Sequence, residues 1–287
     1  MIDLLMLLHS LISAGTYLAA KRALAELTPF ELALARFTLA GVIYSALLLR
    51  WPPRVPRPDL WRLAALGFVA IPLNQGLFLA GLSLTSPGHA ALLYGVTPVF
   101  VFLLALWRGE ERSSGLKVAG IAMAFAGAAL VLLSRGQLSA APEAMRGLEG
   151  DVLVLLAVVA WAVYVVWGKP FAERYGVVAT TGLTVTTGTF LYLPFGLALS
   201  RGEHFRALSV PGWVSLAYLV VLTSVVAYLL YYYALAREDA SRVAIWSNTQ
   251  PVLTALLAWG VYGDRFTATF VAGGVLVIAG VAITQRG

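Results

Sequence analysis

Forty-five residues from Pro87 to Val131 recur without a gap as Ala240 to Thr284, at a constant offset of 153 residues. Ala91 falls on Ala244, Pro98 on Pro251, Val99 on Val252, Arg112 on Arg265, Gly120 on Gly273 and Gly127 on Gly280, and the acid Glu111 falls on the acid Asp264. Apolar matches arise by chance in Leu/Ala-rich chains. A proline, two glycines and an acid–arginine pair holding one register across two hydrophobic stretches do not, so the chain is read as two copies of one unit.

What those copies fold in follows from composition. Of the 287 residues 60% are hydrophobic and 12% charged, whereas soluble domains average about 25% charged. Apolar runs of about 20 residues, long enough to cross a ~30 Å hydrocarbon core, follow one another at roughly 3–20, 31–49, 62–82, 88–107, 115–134, 151–168, 177–199, 212–235, 241–262 and 267–284. The expected fold is an all-α polytopic membrane protein of ten transmembrane helices. The first run lacks a basic flank and a small-residue cleavage site, and is expected to stay in the mature protein. Zero cysteines exclude thiolate metal sites, disulfides and cysteine nucleophiles. The +6 charge is spread singly between spans, which argues for topology signals rather than a nucleic-acid partner.

Each copy holds five spans, and an odd number starts the second copy on the opposite side of the membrane. The repeats are therefore expected to be inverted, a recurring plan of secondary transporters whose substrate sits near the bilayer midplane between the halves. Residues 1–135 form the first repeat, 136–150 a Gly/Pro/Ser-containing linker and 151–287 the second. With the N-terminus inside, twelve Lys and Arg fall on the cytoplasmic side and seven on the other. Both termini are then cytoplasmic, in a bacterial or archaeal cell membrane.

Candidate site residues are the polar and aromatic groups at membrane depth. His9 in span 1 is ionisable where charge is costly, with a reference pKa of about 6.5 suited to proton handling. Span 3 carries adjacent amides, Asn74 and Gln75, which need partners or a cavity, with Phe78 one turn on. Pro98 removes a backbone donor and frees the Tyr94 carbonyl. The polar groups Tyr94 and Thr97 precede it, and in span 9 Trp246, Ser247 and Gln250 precede Pro251. Matched proline interruptions in two halves point to a transporter's site, so Pro98 and Pro251 are read as kinks. Trp161 and Tyr164 in span 6, and Tyr228 and Tyr232 with Tyr231 in span 8, lie too deep for an interfacial aromatic belt and are read as cavity walls. The Gly/Ala-rich spans 5 and 10 read as packing helices. Arg36, near the end of span 2, is read as snorkelling to the interface, and Lys21 and Lys169 as interface lysines in equivalent places.

These residues resemble the EamA family of the drug/metabolite transporter superfamily along essentially the whole chain. The resemblance rests on Pro98-Val99, Glu111-Arg112 and Gly120 to Gly127, repeated as Pro251-Val252, Asp264-Arg265 and Gly273 to Gly280, together with Lys21, Pro29 and Arg36-Phe37. It implies two five-span repeats and metabolite export, the amino acid exporter branch fitting the ring-rich spans. In this chain Asp264 replaces the usual Glu, and His9 and Ser13 stand where span 1 of the family commonly has Trp-Gly.

The expected function is a carrier, without cofactor or metal, for a neutral or zwitterionic amino acid or similar small molecule. Alternatives are export of organic cations, for which no mid-membrane carboxylate is visible, and export of phosphorylated metabolites, for which deep Lys or Arg is scarce. An enzyme is disfavoured. All fourteen carboxylates lie near span ends or in loops, and His9, His89 and His204 are scattered.

Overall fold

The computed structural model describes residues 2–109, 114–133, 141–200, 204–263 and 266–286, which are helical with no strand among them. Ten helical spans follow in order: α1 (Ile2–Leu24), α2 (Pro29–Arg50), α3 (Arg57–Leu84), α4 (Pro87–Trp107), α5 (Gly115–Leu133), α6 (Ala141–Tyr175), α7 (Val177–Leu199), α8 (Val210–Leu235), α9 (240–262) and α10 (Ala268–Arg286). Seven are long and apolar enough to cross a membrane by length and composition. Apolar stretches in α5, α9 and α10 are shorter, at Gly115–Val131, Thr249–Val261 and Ala268–Ile283. Residues 136–140 of the expected linker, Glu111-Arg112 and Asp264-Arg265 lie outside the described residues. The rest of that linker, 141–150, is helix and runs straight into α6.

Local chemistry sets the helix starts. Thr28 caps α2 through a reciprocal box with Glu31, and Pro29 takes the first turn, where its missing donor is no loss. Ser86 before Pro87 opens α4, and Ser209 before Pro211 opens α8. Glu26 accepts from both the Ser209 hydroxyl at 2.6 Å and its amide at 2.7 Å. Those hydrogen bonds, first the hydroxyl's and then the amide's, hold the Glu26 carboxyl below its ordinary value.

Packing displays the duplication. α1 lies against α8 and α9, and α6 lies correspondingly against α3 and α4, while α2 meets α7, α4 meets α9 and α5 meets α10. In the last pair a Cβ on Gly127 would sit 2.6 Å from the Gly273 carbonyl, and one on Gly280 2.6 Å from that of Gly120. Position 120 is equivalent to 273 and 127 to 280, so exchanging the copies turns one contact into the other. Because the register runs 120 with 280 and 127 with 273, the helices are antiparallel and the copies inverted.

α2 and α7 repeat the relation at an offset of 148: Gly182 abuts Leu48, and Gly196 abuts Leu34. Exchange maps each of these contacts onto the other. The small faces of α5 and α10 thus meet each other, replacing side-chain packing by close backbone approach.

Lys21 and Lys169 correct the interface reading. Rather than reaching outward, Lys21 Nζ donates to the carbonyls of Leu82 at 2.9 Å and Thr85 at 2.6 Å at the end of α3. Lys169 Nζ donates to those of Leu235 at 3.0 Å and Glu238 at 2.6 Å at the end of α8. Both satisfy terminal carbonyls that a helix leaves unpaired. A further tie joins the copies, where buried Asp151 at the start of the apolar run of α6 accepts from Thr85 and pairs with His89 Nδ1 at 3.1 Å.

Gly127→Val forces side-chain atoms into the α10 backbone and is expected to destabilise by about 1–3 kcal/mol, visible as a fall of several degrees in the apparent Tm of the purified protein. Gly260→Ala, with no atom within 4 Å of the added methyl inside helix α9, does not lower Tm. Equal Tm values for the two variants would contradict the close α5–α10 contact.

Candidate functional site

Equivalent helices are irregular at equivalent depths. In α3 the backbone widens to a π-helical stretch over Val69–Gln75, and in α8 over Tyr218–Ala227. Pro72 accounts for the first by removing a donor. α4 breaks between Tyr94 and Thr97, and α9 passes through a 3₁₀ turn at Trp246–Asn248. Pro98 and Pro251 stand in the first turn after each break. Widened turns and breaks release carbonyls into an apolar interior, where each needs a donor, and side chains supply them. Thr97 donates to the Tyr94 carbonyl at 2.5 Å, and Thr249 to that of Trp246 at 2.7 Å. Tyr44 donates to the Ser224 carbonyl at 3.1 Å and His9 Nδ1 to that of Ala227 at 3.1 Å.

Between these irregular segments lies a cavity of about 80 Å³. α1 contributes His9, Ser13, Thr16 and Tyr17, and α2 contributes Arg36. Gln75 and Phe78 come from α3, and Tyr94 from α4. From the second copy come Trp161 of α6, then Thr223, Ala227, Tyr228 and Tyr231 of α8, and Ser247 and Gln250 of α9. Among the described residues no lining residue belongs to α5 or α10.

Of the residues singled out in the sequence, His9, Gln75, Phe78, Tyr94, Trp161, Tyr228 and Gln250 meet at this wall. Asn74, Thr97, Tyr164, Tyr232 and Trp246 do not line it. Asn74 stands behind, donating to Ala157 O at 2.7 Å and Tyr94 Oη at 3.0 Å and accepting from Gln75 Nε2 at 2.5 Å. Thr97 closes the Tyr94 carbonyl as described. Tyr164 is hydrogen-bonded to Thr184 at 2.9 Å and receives the Tyr232 hydroxyl on its carbonyl at 3.0 Å; its ring backs Trp161, and the Tyr232 ring packs on that of Tyr164. Trp246 is half-buried in the 3₁₀ turn, where its carbonyl also accepts from Ser10 at 3.1 Å.

Arg36 departs furthest from its reading. It is 1% exposed, so it does not snorkel. Its Nε donates to Ser224 Oγ at 2.7 Å and one terminal nitrogen donates to Gln75 Oε1 at 2.9 Å. The remaining lining residues absent from the sequence reading had a visible signal in α1, where His9, Ser13, Thr16 and Tyr17 fall at helical spacing on one face. Thr223 and Ser224, an adjacent hydroxyl pair inside an apolar span, were a similar cue.

The imidazole of His9 sits between the Ala227 carbonyl and Ser13 Oγ at 3.3 Å. A carbonyl only accepts, so Nδ1 carries the hydrogen and a neutral ring receives the Ser13 hydroxyl on Nε2. The repeat relation holds even here. Asn74 is equivalent to Ala227 and Ala157 to His9, so the Asn74–Ala157 bond is the His9–Ala227 bond with side chain and backbone exchanged.

The support and the wall should therefore respond differently to mutation. Asn74→Leu strands the Ala157 carbonyl and is expected to lower stability by about 1–3 kcal/mol, whereas Ser13→Ala changes it by less than about 0.5 kcal/mol. Thermal unfolding of both in one detergent checks this; equal losses would remove the distinction.

The sequence profile described as the EamA-like transporter family matches residues 1–133 and again 148–286. An uncharacterized transporter of Archaeoglobus fulgidus is 32% identical, covering 98% of this chain and 96% of its own length. The uncharacterized transporter YyaM of Bacillus subtilis is 28% identical over 98% of this chain and 92% of its own. The uncharacterized inner membrane transporter YedA of Escherichia coli is 27% identical over 96% and 87%. A solved crystal structure, 22% identical, superposes with a TM-score of 0.72 over 99% of this chain and 96% of the other, a likeness of fold.

Proposed function

Because the chain belongs to the EamA-like transporter family, and is thus an integral membrane transporter, we propose that it is a secondary carrier exporting a small metabolite, with neutral or zwitterionic amino acids as the substrate class. The observation that carries this reading is the cavity built jointly by the two inverted copies, at the one depth where their helices lose regular geometry. Residues 1–135 and 151–287 act as the two moving halves, rocking about a fixed central site, with both termini cytoplasmic.

The wall supports the substrate class. Phe78, Trp161 and Tyr228 offer flat apolar surface, and Tyr17 meets Phe78 and Tyr94 edge to face at 5.7 and 6.1 Å between ring centroids. Gln75 and Gln250 offer amides, and Ser13, Thr16 and Ser247 offer hydroxyls. Among the described residues no Asp or Glu lines the cavity, which disfavours an organic cation.

Proteoliposome uptake of labelled leucine and phenylalanine, set against an organic cation and a sugar phosphate with and without a pH gradient, tests the class. Amino acid uptake is expected, and exclusive uptake of the cation or the phosphate would replace this reading. Trp161→Ala should weaken transport of phenylalanine by about 1–2 kcal/mol, roughly 5–30-fold, and of alanine much less. Gln250→Leu should impair both. Reporter fusions at the two ends are expected to give cytoplasmic signals, and opposite sides for the termini would refute the five-plus-five arrangement.

A further inference from the structure

Arg36 is a cation shielded from water and lipid alike. A buried charge is strongly destabilising unless something compensates it, and at membrane depth such a group marks function by default. The compensation here comes from neutral groups alone among the described residues, the guanidinium carbon lying 4.7 Å from the centroid of the Phe37 ring. Of its five N–H donors, one goes to a hydroxyl, Ser224, and one to an amide oxygen, Gln75. Both acceptors are neutral, and among the described residues Arg36 forms no ion pair.

Those two acceptors are fixed in turn. Ser224 donates its own hydrogen to the Leu219 carbonyl at 2.8 Å across the widened turn of α8, and Gln75 is anchored by Asn74. They pin one side of the guanidinium while Arg36 lines the cavity. A second, independent observation lies in the same wall: the buried Tyr228 hydroxyl has no hydrogen-bond partner among the described residues. A planar guanidinium with donors unused among the described residues, lining the same cavity as an unpaired phenol, matches the two oxygens of a carboxylate.

The charge balance narrows the class. Position 184 of α7, equivalent to Arg36 at the offset of 148, is threonine, so the cavity holds one arginine and no symmetric partner to it. One carboxylate neutralises it. A phosphate monoester would leave excess negative charge against Phe78 and Trp161, and an amine or quaternary cation would add a like charge. On the basis of the carrier reading above, we infer that Arg36 anchors the carboxylate of the transported molecule, and that the accepted class is compact monocarboxylates, with or without an α-ammonium group.

The test uses the full chain in proteoliposomes, reading counterflow of radiolabelled leucine under competition from three matched compounds. These are 4-methylpentanoate, which lacks the ammonium, and leucine methyl ester and 3-methylbutylamine, which lack the carboxylate. Direct binding of all four is read from tryptophan fluorescence of the same protein in nanodiscs. The expected result is comparable competition by leucine and 4-methylpentanoate, with the ester and the amine at least tenfold weaker. Arg36→Gln should abolish that preference, and Arg36→Lys, which keeps the charge but not the fork, should fall between.

If the ester or the amine competes as well as leucine in the wild type, the anchor is wrong while the carrier reading stands. The same holds if a monodisperse Arg36→Gln protein keeps the wild-type preference. If none of the four compounds binds or is carried by the wild type, the amino acid reading and the anchor both fail. Should Arg36→Gln not fold, the wild-type series and Arg36→Lys still decide.

Discussion

A backbone carbonyl or amide in hydrocarbon has no water to turn to, and the structure is arranged around that fact. Helices α5 and α10 meet it fully, with regular hydrogen bonding and faces small enough to touch. The four helices α3, α4, α8 and α9 depart from regular bonding, and do so where the two copies face one another. Every released carbonyl named above is taken by a side chain from nearby or from another helix. Thr97, Tyr44 and Thr249 are thereby committed behind the wall, while His9 is committed and lines the cavity as well. Structural satisfaction and site formation are one arrangement seen from two sides.

Much of this was legible in the chain itself. The 153-residue offset, the five-plus-five count and the packing role of the small-residue spans could all be read because they rest on glycine, proline and length, whose effects are local; that the two small-residue spans meet each other came from the structure. Seven of the named site residues meet at one wall for the same reason, since deep polar and aromatic groups in lipid need company. Arg36 was hidden by its position: one and a half turns from a helix end, distance alone does not say whether the head group turns out or in. Gln75 and Ser224, 39 and 188 residues away, decide it. Lys21 and Lys169 were ambiguous likewise, since a lysine that caps a neighbouring helix and one that reaches water look identical in sequence.

The symmetry is strict in the scaffold and relaxed in the site. Glycine meets glycine in α5 and α10 and lysine caps carbonyl in both copies, yet His9 stands opposite Ala157, Gln75 opposite Tyr228 and Arg36 opposite Thr184. One bond survives with donor and acceptor exchanged between side chain and main chain, which keeps the geometry while freeing one position for different chemistry. A cavity built this way presents different chemistry from its two copies, although both contribute polar groups and rings.

The contact between α5 and α10 carries a consequence for the origin of the chain. Because Gly120 meets Gly280 and Gly127 meets Gly273, the surface is isologous: it is complementary to its own inverted image. A single five-helix unit bearing it could pair with a second molecule of itself inserted the other way up. In such a pair every change at the contact would be met twice, and a lone arginine would always arrive as two facing like charges. Joining the units into one polypeptide separates the two readings, so that one half can take a cation while the other keeps a hydroxyl.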